Sequence, residues 1–364
     1  MKTKNLFSLN GRKIVVISTG SIAAVKTPIL VSSLIKSGAE VKCVITPSAA
    51  NLVSPLSLST LSRHRCLQDE DQWDPKETKP VHIALADWAE MIIVAPLSAS
   101  SLARWVNGLG DGLAASLLLA FQKPVIAAAA MNTGMWTNQA VQKNWELLKQ
   151  YSNVITLNPE EGLLACDRVG EGHLANQEII ELAIEHAFSQ YQKPLPCNRD
   201  LEGLKLLVTA GPTIEDIDST RFLSNRSSGK MGILLSQAAR FRGAKVDLIY
   251  GSLQISSLLL EGLNIHKART SDDMEKIISK LQSNANVIAM CAAICDLRKK
   301  GKKEKVKLSK EKLCNLMNDS FELTPDLLKE LTSKRQKNQI ILGFSALTGT
   351  EEEIKRLGKS KKEN

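Results

Sequence analysis

The feature that most restricts the fold is an alternation of short apolar runs with amphipathic stretches along most of the 364-residue chain. Apolar runs without a polar alternation are typical of strands covered on both faces of a parallel sheet. In the first half of the chain the predicted strands are residues 14–18, 41–46, 91–95, 125–129 and 154–157. The helices predicted among them are residues 22–36, 97–106, 139–149 and 177–189. This order predicts an α/β fold with a doubly wound sheet.

The periodicity lapses in the segment 191–200, which contains two prolines, and a second strand–helix alternation follows it. Its predicted strands are residues 204–209, 245–250, 286–291 and 339–343, and its predicted helices are residues 231–242, 272–281 and 325–331. A lapse with prolines between two periodic halves is typical of a linker. We therefore predict two doubly wound, Rossmann-like α/β domains with mainly parallel sheets, residues 1–192 and residues 193–364.

The formal net charge is +9, and much of the excess lies in the tract 298–312 and at the C-terminal end. Charge runs of this kind are most often solvated loops or tails. Aromatic residues make up only 4% of the chain, which leaves few platforms for stacking single-stranded nucleic acid. The composition therefore disfavours a nucleic-acid partner. A basic loop at 298–307 that handles small anionic substrates is the better functional interpretation.

The longest apolar stretch, residues 113–131, is interrupted by Gln122-Lys123-Pro124, so it is predicted to form a helix, a turn and a buried strand and not a membrane span. No apolar segment typical of a secretory signal precedes the first strand, and we expect a cytoplasmic location. The seven cysteines have no zinc-binding spacing, and no disulfide framework is expected. Most of the thiols are predicted to be small core side chains.

Several polar motifs follow the predicted strands of the first domain. Gly20 and Ser21 follow the first strand and open a helix, where free backbone N–H groups can bind a phosphate. The G-x-G-x-x-G dinucleotide pattern is absent, so this motif favours a mononucleotide. His82 precedes an acidic and apolar predicted helix, and Cys166 lies in a glycine-rich loop that suggests a mobile flap. Taken singly, His82 is more often a structural histidine and Cys166 more often a buried thiol.

The order and spacing of these segments resemble the flavin-dependent cysteine decarboxylases, specifically the phosphopantothenoylcysteine decarboxylases. The segments are His82, the run Ala129-Ala130-Met131-Asn132-Thr133-Gly134-Met135-Trp136 and the run Gly162-Leu163-Leu164-Ala165-Cys166, and the resemblance spans nearly all of residues 11–190. It implies that His82 is a base, that Asn132 binds the substrate carboxylate and that Cys166 donates a proton. It also implies bound FMN, with contacts from Gly20, Ser21, Thr46, Ser48, Ser98, Ser100 and Met131.

The chemistry of this family explains why such residues are needed. The flavin oxidises the cysteine thiol to a thioaldehyde, which places an electron sink near the carbon that loses CO₂. Cys166 must be a protonated thiol for its implied role, and an apolar flap favours that form. The chain departs from the family pattern at Ala129, Ser100, Asp167 and His173, which stand where proline, asparagine, glycine and arginine are usual.

The second domain contains two polar segments that suit phosphate binding. Thr209-Ala210-Gly211-Pro212-Thr213 follows a predicted strand, and Asn225-Arg226-Ser227-Ser228-Gly229-Lys230-Met231-Gly232 opens a predicted helix. The second segment is not a Walker A loop, because the first glycine of that motif is missing. Its serine and glycine N–H groups can still bind phosphate at a helix start. As a bare pattern it is more often a serine-rich helix cap.

Together with later segments, these two resemble the phosphopantothenate–cysteine ligases. The later segments are Ala292-Ala293-Ile294-Cys295-Asp296, Lys305-Val306-Lys307, Thr324-Pro325-Asp326-Leu327 and Gly343-Phe344-Ser345-Ala346-Leu347-Thr348. The resemblance implies that CTP, with Mg²⁺, activates the phosphopantothenate carboxylate as an acyl-cytidylate, which the amine of cysteine attacks. It implies that Asn225 stabilises this intermediate and that Lys305 meets the developing phosphate charge.

The same resemblance implies a set of nucleotide contacts and assigns no metal ligands. The implied contacts are Met290, Cys291, Ala292, Asp296, Lys305, Pro325, Asp326, Leu327, Leu328, Phe344 and Lys359. Leu347 stands where the ligase family has a glutamate, and the chain stops at Asn364, before the family's last strand. We therefore expect an intact decarboxylase half and an incomplete ligase half.

The two resemblances imply a bifunctional enzyme of coenzyme A biosynthesis. Its small-molecule substrates are 4'-phosphopantothenate, L-cysteine, CTP and phosphopantothenoylcysteine, and its product is 4'-phosphopantetheine. They also imply a homo-oligomer, with a trimer-based decarboxylase and a dimeric ligase. The alternatives are a decarboxylase with a non-functional ligase half, or a flavoprotein regulatory subunit of the same fold, although the long acidic tail of such subunits is lacking. A flavin-binding prenyltransferase or peptide-cysteine decarboxylase leaves residues 200–350 unexplained.

Overall fold

The computed structural model describes residues 9–75, 78–163, 169–191, 199–301, 306–346, 350–353 and 355–356. The chain divides into two compact units. The N-unit comprises Met1–Glu202, Phe241–Gly243 and Leu258–Gly262, and the C-unit comprises Gly203–Arg240, Ala244–Ser257 and Leu263–Asn364. The predicted boundary between residues 192 and 193 lies outside the described residues and stays a prediction.

The N-unit contains a five-stranded parallel sheet with the strand order β2-β1-β3-β4-β5. The strands are β1 Lys13–Ser18, β2 Glu40–Ile45, β3 Met91–Leu97, β4 Val125–Ala129 and β5 Val154–Leu157, and a hairpin of β6 Glu160–Leu163 and β7 Val169–His173 follows. Every residue of β3 and β4 is buried, since helices cover both faces of the sheet. The predicted doubly wound α/β fold is confirmed.

Nine helices are described in the N-unit, together with 3₁₀ turns at Ile22–Lys26 and Asp69–Trp73. They are α1 Thr27–Lys36, α2 Pro47–Ala50, α3 Pro55–Ser62, α4 Val81–Trp88, α5 Ala99–Val106, α6 Leu113–Ala120, α7 Thr133–Trp136, α8 Gln139–Lys149 and α9 Gln177–Tyr191. The predicted start of a helix at Leu97 is wrong, because Leu97 pairs with Ala129 in the sheet. The prediction that His82 precedes its helix is also wrong, because α4 begins at Val81.

The C-unit contains a second five-stranded parallel sheet, with the order β12-β11-β8-β13-β16. Its strands are β8 Lys205–Ala210, β9 Ile214–Asp216, β10 Phe222–Ser224, β11 Lys245–Tyr250, β12 Asn264–Lys267, β13 Val287–Met290, β14 Leu297–Lys299, β15 Phe321–Leu323 and β16 Ile340–Gly343. Its helices are α10 Lys230–Phe241, α11 Ser271–Leu281, α12 Lys310–Asp319 and α13 Leu327–Ser333, with a 3₁₀ turn at Gln282–Asn284. Another 3₁₀ turn, Ser257–Leu260, begins at the last residue of a C-unit segment and continues in the N-unit segment Leu258–Gly262. β9 pairs with β10 and β14 with β15 as separate antiparallel ribbons.

The basic tract is not a continuous loop. Arg298 lies in β14, where its side chain forms ion pairs with Asp272 and Glu322, and α12 begins at Lys310. The prediction of a loop at 298–307 is therefore wrong at its start, because carboxylates on neighbouring elements hold Arg298 in a strand. In the ranges that the structure describes, no helix is long and apolar enough to cross a membrane.

Candidate active sites

The loops that follow β1, β3 and β4 converge at one edge of the N-unit sheet. They form a cavity of about 590 Å³, called cavity A here, and its lining includes Gly20, Ser21, Ser98, Met131, Asn132 and His173. The carboxyl ends of parallel strands are the usual place for ligands in doubly wound sheets. The structure therefore brings four of the predicted flavin contacts together with the predicted carboxylate-binding residue.

A smaller cavity of about 340 Å³, called cavity B, shares Gly20 and Ser98 with cavity A. Its lining includes six hydroxyl side chains and two carboxylates, from Thr19, Thr46, Ser48, Ser98, Ser100, Ser101, Asp69 and Asp111. The Thr46 hydroxyl is buried and has no hydrogen-bond partner among the described residues. A methyl group added at Gly20 would lie 2.6 Å from Cβ of Ser48, so only glycine leaves room there. These features suit a polar, phosphate-bearing ligand.

Hydrogen bonds fix the loops around the two cavities. The Thr19 hydroxyl donates to the Pro96 carbonyl over 2.8 Å and accepts from the Ser98 N–H over 2.8 Å. The Thr27 hydroxyl donates to the Ala95 carbonyl over 3.0 Å. Because these bonds connect the ends of β1 and β3, the cavity walls are preorganised before any ligand binds.

Asn132 caps the N-terminus of α7 with its side chain. Its Oδ1 accepts from the Gly134 N–H over 2.9 Å, which orients the amide group at cavity A. A carboxamide with one fixed oxygen presents its N–H groups in a defined direction, which suits binding of a carboxylate.

His82 does not line cavity A or cavity B in the described chain. It lies in the first turn of α4, with its ring edge-on to Trp73 at a centroid distance of 5.9 Å. Its Nδ1 is buried, and no residue in the described part of the chain forms a hydrogen bond with it. One chain therefore does not bring His82 to Asn132. The predicted proton donor, Cys166, lies outside the described residues.

Arg104 is a polar residue of cavity B that the sequence analysis missed. Its guanidinium donates to the Ser100 hydroxyl and, through Nε, to Asp111 over 3.0 Å. The signal available in the sequence was its spacing of four residues from Ser100 on one helix, which places both side chains on the same face. Arg104 adds a positive charge to cavity B, where it is paired with the carboxylate of Asp111.

The C-unit has a cavity of about 970 Å³, called cavity C, at the carboxyl edge of its own sheet. Its lining contains every predicted ligase residue within the described ranges, which are Asn225, Met290, Cys291, Ala292, Asp296, Pro325, Asp326, Leu327, Leu328 and Phe344. The remaining two, Lys305 and Lys359, lie outside the described residues. Arg226 and Lys230 also line cavity C, where they can attract anionic ligands, and two carboxylates, Asp296 and Asp326, lie in the same lining.

Side-chain hydrogen bonds of Asn225, Thr209 and Thr213 hold the loops of cavity C in place. Asn225 Nδ2 donates to the Ile294 carbonyl over 2.8 Å. The Thr213 hydroxyl accepts from the Cys295 N–H over 2.9 Å, and the Thr209 hydroxyl accepts from the Ala292 N–H over 3.0 Å. Gly232 allows α10 to approach β8 closely, since an added methyl group would lie 2.7 Å from Ala210. Gly232, which lines cavity C, is therefore also a packing requirement.

Asp218 and Cys291 are among the groups of the C-unit whose pKa values are shifted. Hydrogen bonds from the backbone of Thr220, and then from Leu308 and Arg221, hold the pKa of Asp218 at about 2. Burial raises the pKa of the Cys291 thiol to about 11. Within the described residues, no group of three or more histidine, cysteine or acidic side chains could hold a metal ion.

Both halves of the chain are similar to known protein families. The family model Flavoprotein matches residues 3–188, and the family model "DNA/pantothenate metabolism flavoprotein C-terminal domain" matches residues 201–364. The coenzyme A biosynthesis bifunctional protein CoaBC of Bacillus subtilis (strain 168) is 38% identical over 346 residues, which cover 93% of this chain and 81% of that protein. The protein of the same name from Escherichia coli (strain K12) is 33% identical over 358 residues, covering 96% and 83%. The solved FMN binding protein AtHal3 is 30% identical, with a TM-score of 0.44, over 48% of this chain and 96% of its own.

Proposed function

The chain belongs to the family of bifunctional coenzyme A biosynthesis proteins, and from this premise we propose which cavity carries which reaction. The protein is an enzyme with phosphopantothenate–cysteine ligase and phosphopantothenoylcysteine decarboxylase activities. Cavity C couples 4'-phosphopantothenate to L-cysteine with CTP, and cavities A and B decarboxylate the product to 4'-phosphopantetheine. The observation that carries this assignment is that each set of implied residues within the described ranges, His82 excepted, lines a cavity at a sheet edge.

FMN fits cavities A and B by the chemistry of their linings. The buried, unpartnered hydroxyl of Thr46 and the hydroxyls of Ser48 and Ser98 suit the ribityl and phosphate groups. Cavity A is mainly apolar and suits a flat aromatic ring. Bound flavin supplies the oxidation of the substrate thiol that makes loss of CO₂ favourable.

The chain's own residues bind the substrate and move protons. The Asn132 amide donates hydrogen bonds to the substrate carboxylate, and its oxygen is already committed to the Gly134 N–H. His82 acts as the base, and Cys166 returns a proton. These three roles come from the resemblance of the motifs, and the position of Asn132 in cavity A supports the first.

The decarboxylase site is completed by a second copy of the chain. Ile22, Val25 and Ile29 are each more than half exposed, and Ile22 and Val25 line cavity A. Exposed apolar side chains that border a cavity are typical of a protein interface. A partner that covers this face would bring its own histidine, which explains why His82 of the same chain does not line the cavity.

A complementation experiment tests this arrangement. Mixed oligomers of His82→Ala and Asn132→Asp subunits should regain decarboxylase activity, since some sites combine an intact His82 with an intact Asn132. Each variant alone should be inactive. If the mixture stays inactive although exchange is complete, the shared site is excluded.

The ligase reaction is supported by the charge and lining of cavity C. Arg226 and Lys230 attract anionic substrates, and Asn225 is held at the cavity by its bond to the Ile294 carbonyl. Lys305 is assigned to the developing phosphate charge. Mg²⁺ accompanies CTP, because Mg²⁺ commonly binds through phosphates, waters and one or two carboxylates, and Asp296 and Asp326 line the cavity.

Two measurements test the assignment. The purified protein should show flavin absorbance near one equivalent per chain, and a colourless preparation indifferent to added FMN would exclude the decarboxylase. CTP-dependent release of pyrophosphate should require both 4'-phosphopantothenate and L-cysteine. Release of CO₂ without any such ligase signal would support the alternative of a non-functional ligase half, which the match across residues 201–364 does not favour. The cytoplasmic location stays a prediction.

A further inference from the structure

Strand β7 forms part of the wall of cavity A, and it packs against the short helix α7. Gly172 and His173 line the cavity from β7, and Met131 and Asn132 line it from the loop before α7. The packing of β7 on α7 therefore sets the space that is available where Asn132 binds substrate.

Three contacts join β7 to the Asn132 segment. Trp136 Nε1 donates a hydrogen bond to Glu171 Oε2 over 3.0 Å. The Met131 N–H donates to the Gly172 carbonyl over 3.1 Å. Gly170 lies so close to α7 that an added methyl group would be 2.6 Å from the Thr133 hydroxyl. The first of these hydrogen bonds depends on a side chain of β7, whereas the second joins two backbone groups.

The indole that donates this bond is held in place by the core. Trp136 is 5% exposed, and its ring packs edge-on against Trp145 at a centroid distance of 5.3 Å. Trp145 is fully buried and donates from its own Nε1 to Asn158 over 2.9 Å. Because Trp136 cannot shift without disturbing this packing, the position of β7 adjusts to the indole and not the reverse.

We propose that Glu171 is a positioning residue of the decarboxylase, which holds β7 against α7 through Trp136 and so keeps Gly172 and His173 at the correct distance from Asn132. The inference rests on the proposed decarboxylation. Glu171 itself does not line cavity A in the described chain. It acts on the substrate through the strand that carries it.

The test compares four variants of the full-length protein with a control. Glu171→Ala and Trp136→Phe should each raise the KM for phosphopantothenoylcysteine about three- to tenfold, because each removes one side-chain hydrogen bond. Glu171→Gln keeps an oxygen acceptor and should restore a KM within about twofold of the parent. The double variant Glu171→Ala/Trp136→Phe should equal the single variants, since both remove the same bond. Glu161→Ala, on the neighbouring strand β6, should leave KM unchanged, and all variants should retain flavin.

Several outcomes would overturn the proposal. They are an unchanged KM in Glu171→Ala, a Glu171→Gln variant as impaired as Glu171→Ala, or additive effects in the double variant. Hydrogen exchange provides a readout that needs no turnover. The Met131 amide should exchange faster in Glu171→Ala than in the parent or in Glu171→Gln. Equal exchange of the Met131 amide in all three proteins would exclude the positioning role, whether or not the parent decarboxylates the substrate. A parent that does not decarboxylate the substrate would instead refute the proposed function.

Discussion

In the N-unit and in the C-unit, the cavities lie at the carboxyl edge of the unit's own parallel sheet, although the order of the strands differs between the two sheets. The direction of winding reverses between β1 and β3 in the N-unit and between β8 and β13 in the C-unit. In both units the loops on either side of this reversal diverge and leave a crevice. Thr19 and Ser98 flank the crevice in one unit, and Ala292 flanks it in the other. In each unit the cavity therefore lies where the direction of winding reverses, although the strand orders differ.

The chemistry of the two crevices differs. Cavities A and B combine an apolar lining with hydroxyl groups, which suits a neutral ring and a phosphate tail. The lining of cavity C combines two cationic side chains with two carboxylates, which suits a triphosphate together with its cation. If each unit carries one reaction, a change in one cavity should leave the other reaction intact.

The largest expected effect separates the two reactions. Asn132→Asp keeps the oxygen that caps α7 but replaces the amide donor with a negative charge, so decarboxylation should fall by about a hundredfold or more. Pyrophosphate release should stay within twofold of the parent. Asn225→Ala should show the reverse pattern.

These assays supply each unit with its own substrate, and CO₂ and pyrophosphate are measured separately. If either substitution lowered both activities equally, the two cavities would not act independently and the comparison would fail.

A smaller effect is expected at Gly20. Gly20→Ala places a methyl group 2.6 Å from Cβ of Ser48, so FMN should bind about tenfold more weakly. Fluorescence titration of the flavin measures this affinity. Gly110→Ala is the matched control, because its added methyl group meets only ordinary contacts of 3.5 Å or more. Equal affinities in both variants would show that the Gly20 loop does not approach the ligand.

A pH effect is expected in the C-unit. The pKa of Asp218 is about 2, below its ordinary value of 3.8, because the folded chain stabilises the carboxylate with backbone hydrogen bonds. The stability that this group contributes is fully present above about pH 4 and is lost as the pH falls towards 2. Asp218→Asn should destabilise the C-unit at pH 7. Below pH 4 the stability of this variant should change less with pH than the stability of the parent.

Hydrogen exchange resolves the two units in one experiment, so the N-unit serves as the internal control for Asp218. A parent C-unit whose protection does not change between pH 5 and pH 3 would contradict the expected role of this carboxylate.

The smallest effect concerns the thiols. Burial raises the pKa of Cys43 to about 12 and that of Cys291 to about 11, but only Cys291 is partly exposed and lines a cavity. Iodoacetamide should therefore modify Cys291 several times faster than Cys43, and CTP should slow the reaction at Cys291. Peptide mass spectrometry measures both sites. Equal rates, or no protection by CTP, would argue against nucleotide binding at cavity C.

The strand pattern was predicted well where burial is uniform and poorly where tertiary contacts compete. The strands at Val125–Ala129 and Lys245–Tyr250 have the predicted ends, because an apolar run between polar turns leaves little choice of boundary. Leu97 was assigned to a helix, but the sheet retains it through its pairing with Ala129. The first part of the basic tract was assigned to a loop, but Asp272 and Glu322 neutralise Arg298 within a strand.

The sequence by itself determined the α/β class, the division into two halves and the identity of most cavity residues, because periodicity and motif spacing are local properties of the chain. Only the tertiary structure decided that His82 lies away from the cavity that contains Asn132, and that Trp136 and Glu171 meet. Trp136 and Glu171, for example, are 35 positions apart along the chain. No local pattern encodes such a distance, because it depends on how the strands and helices pack in space.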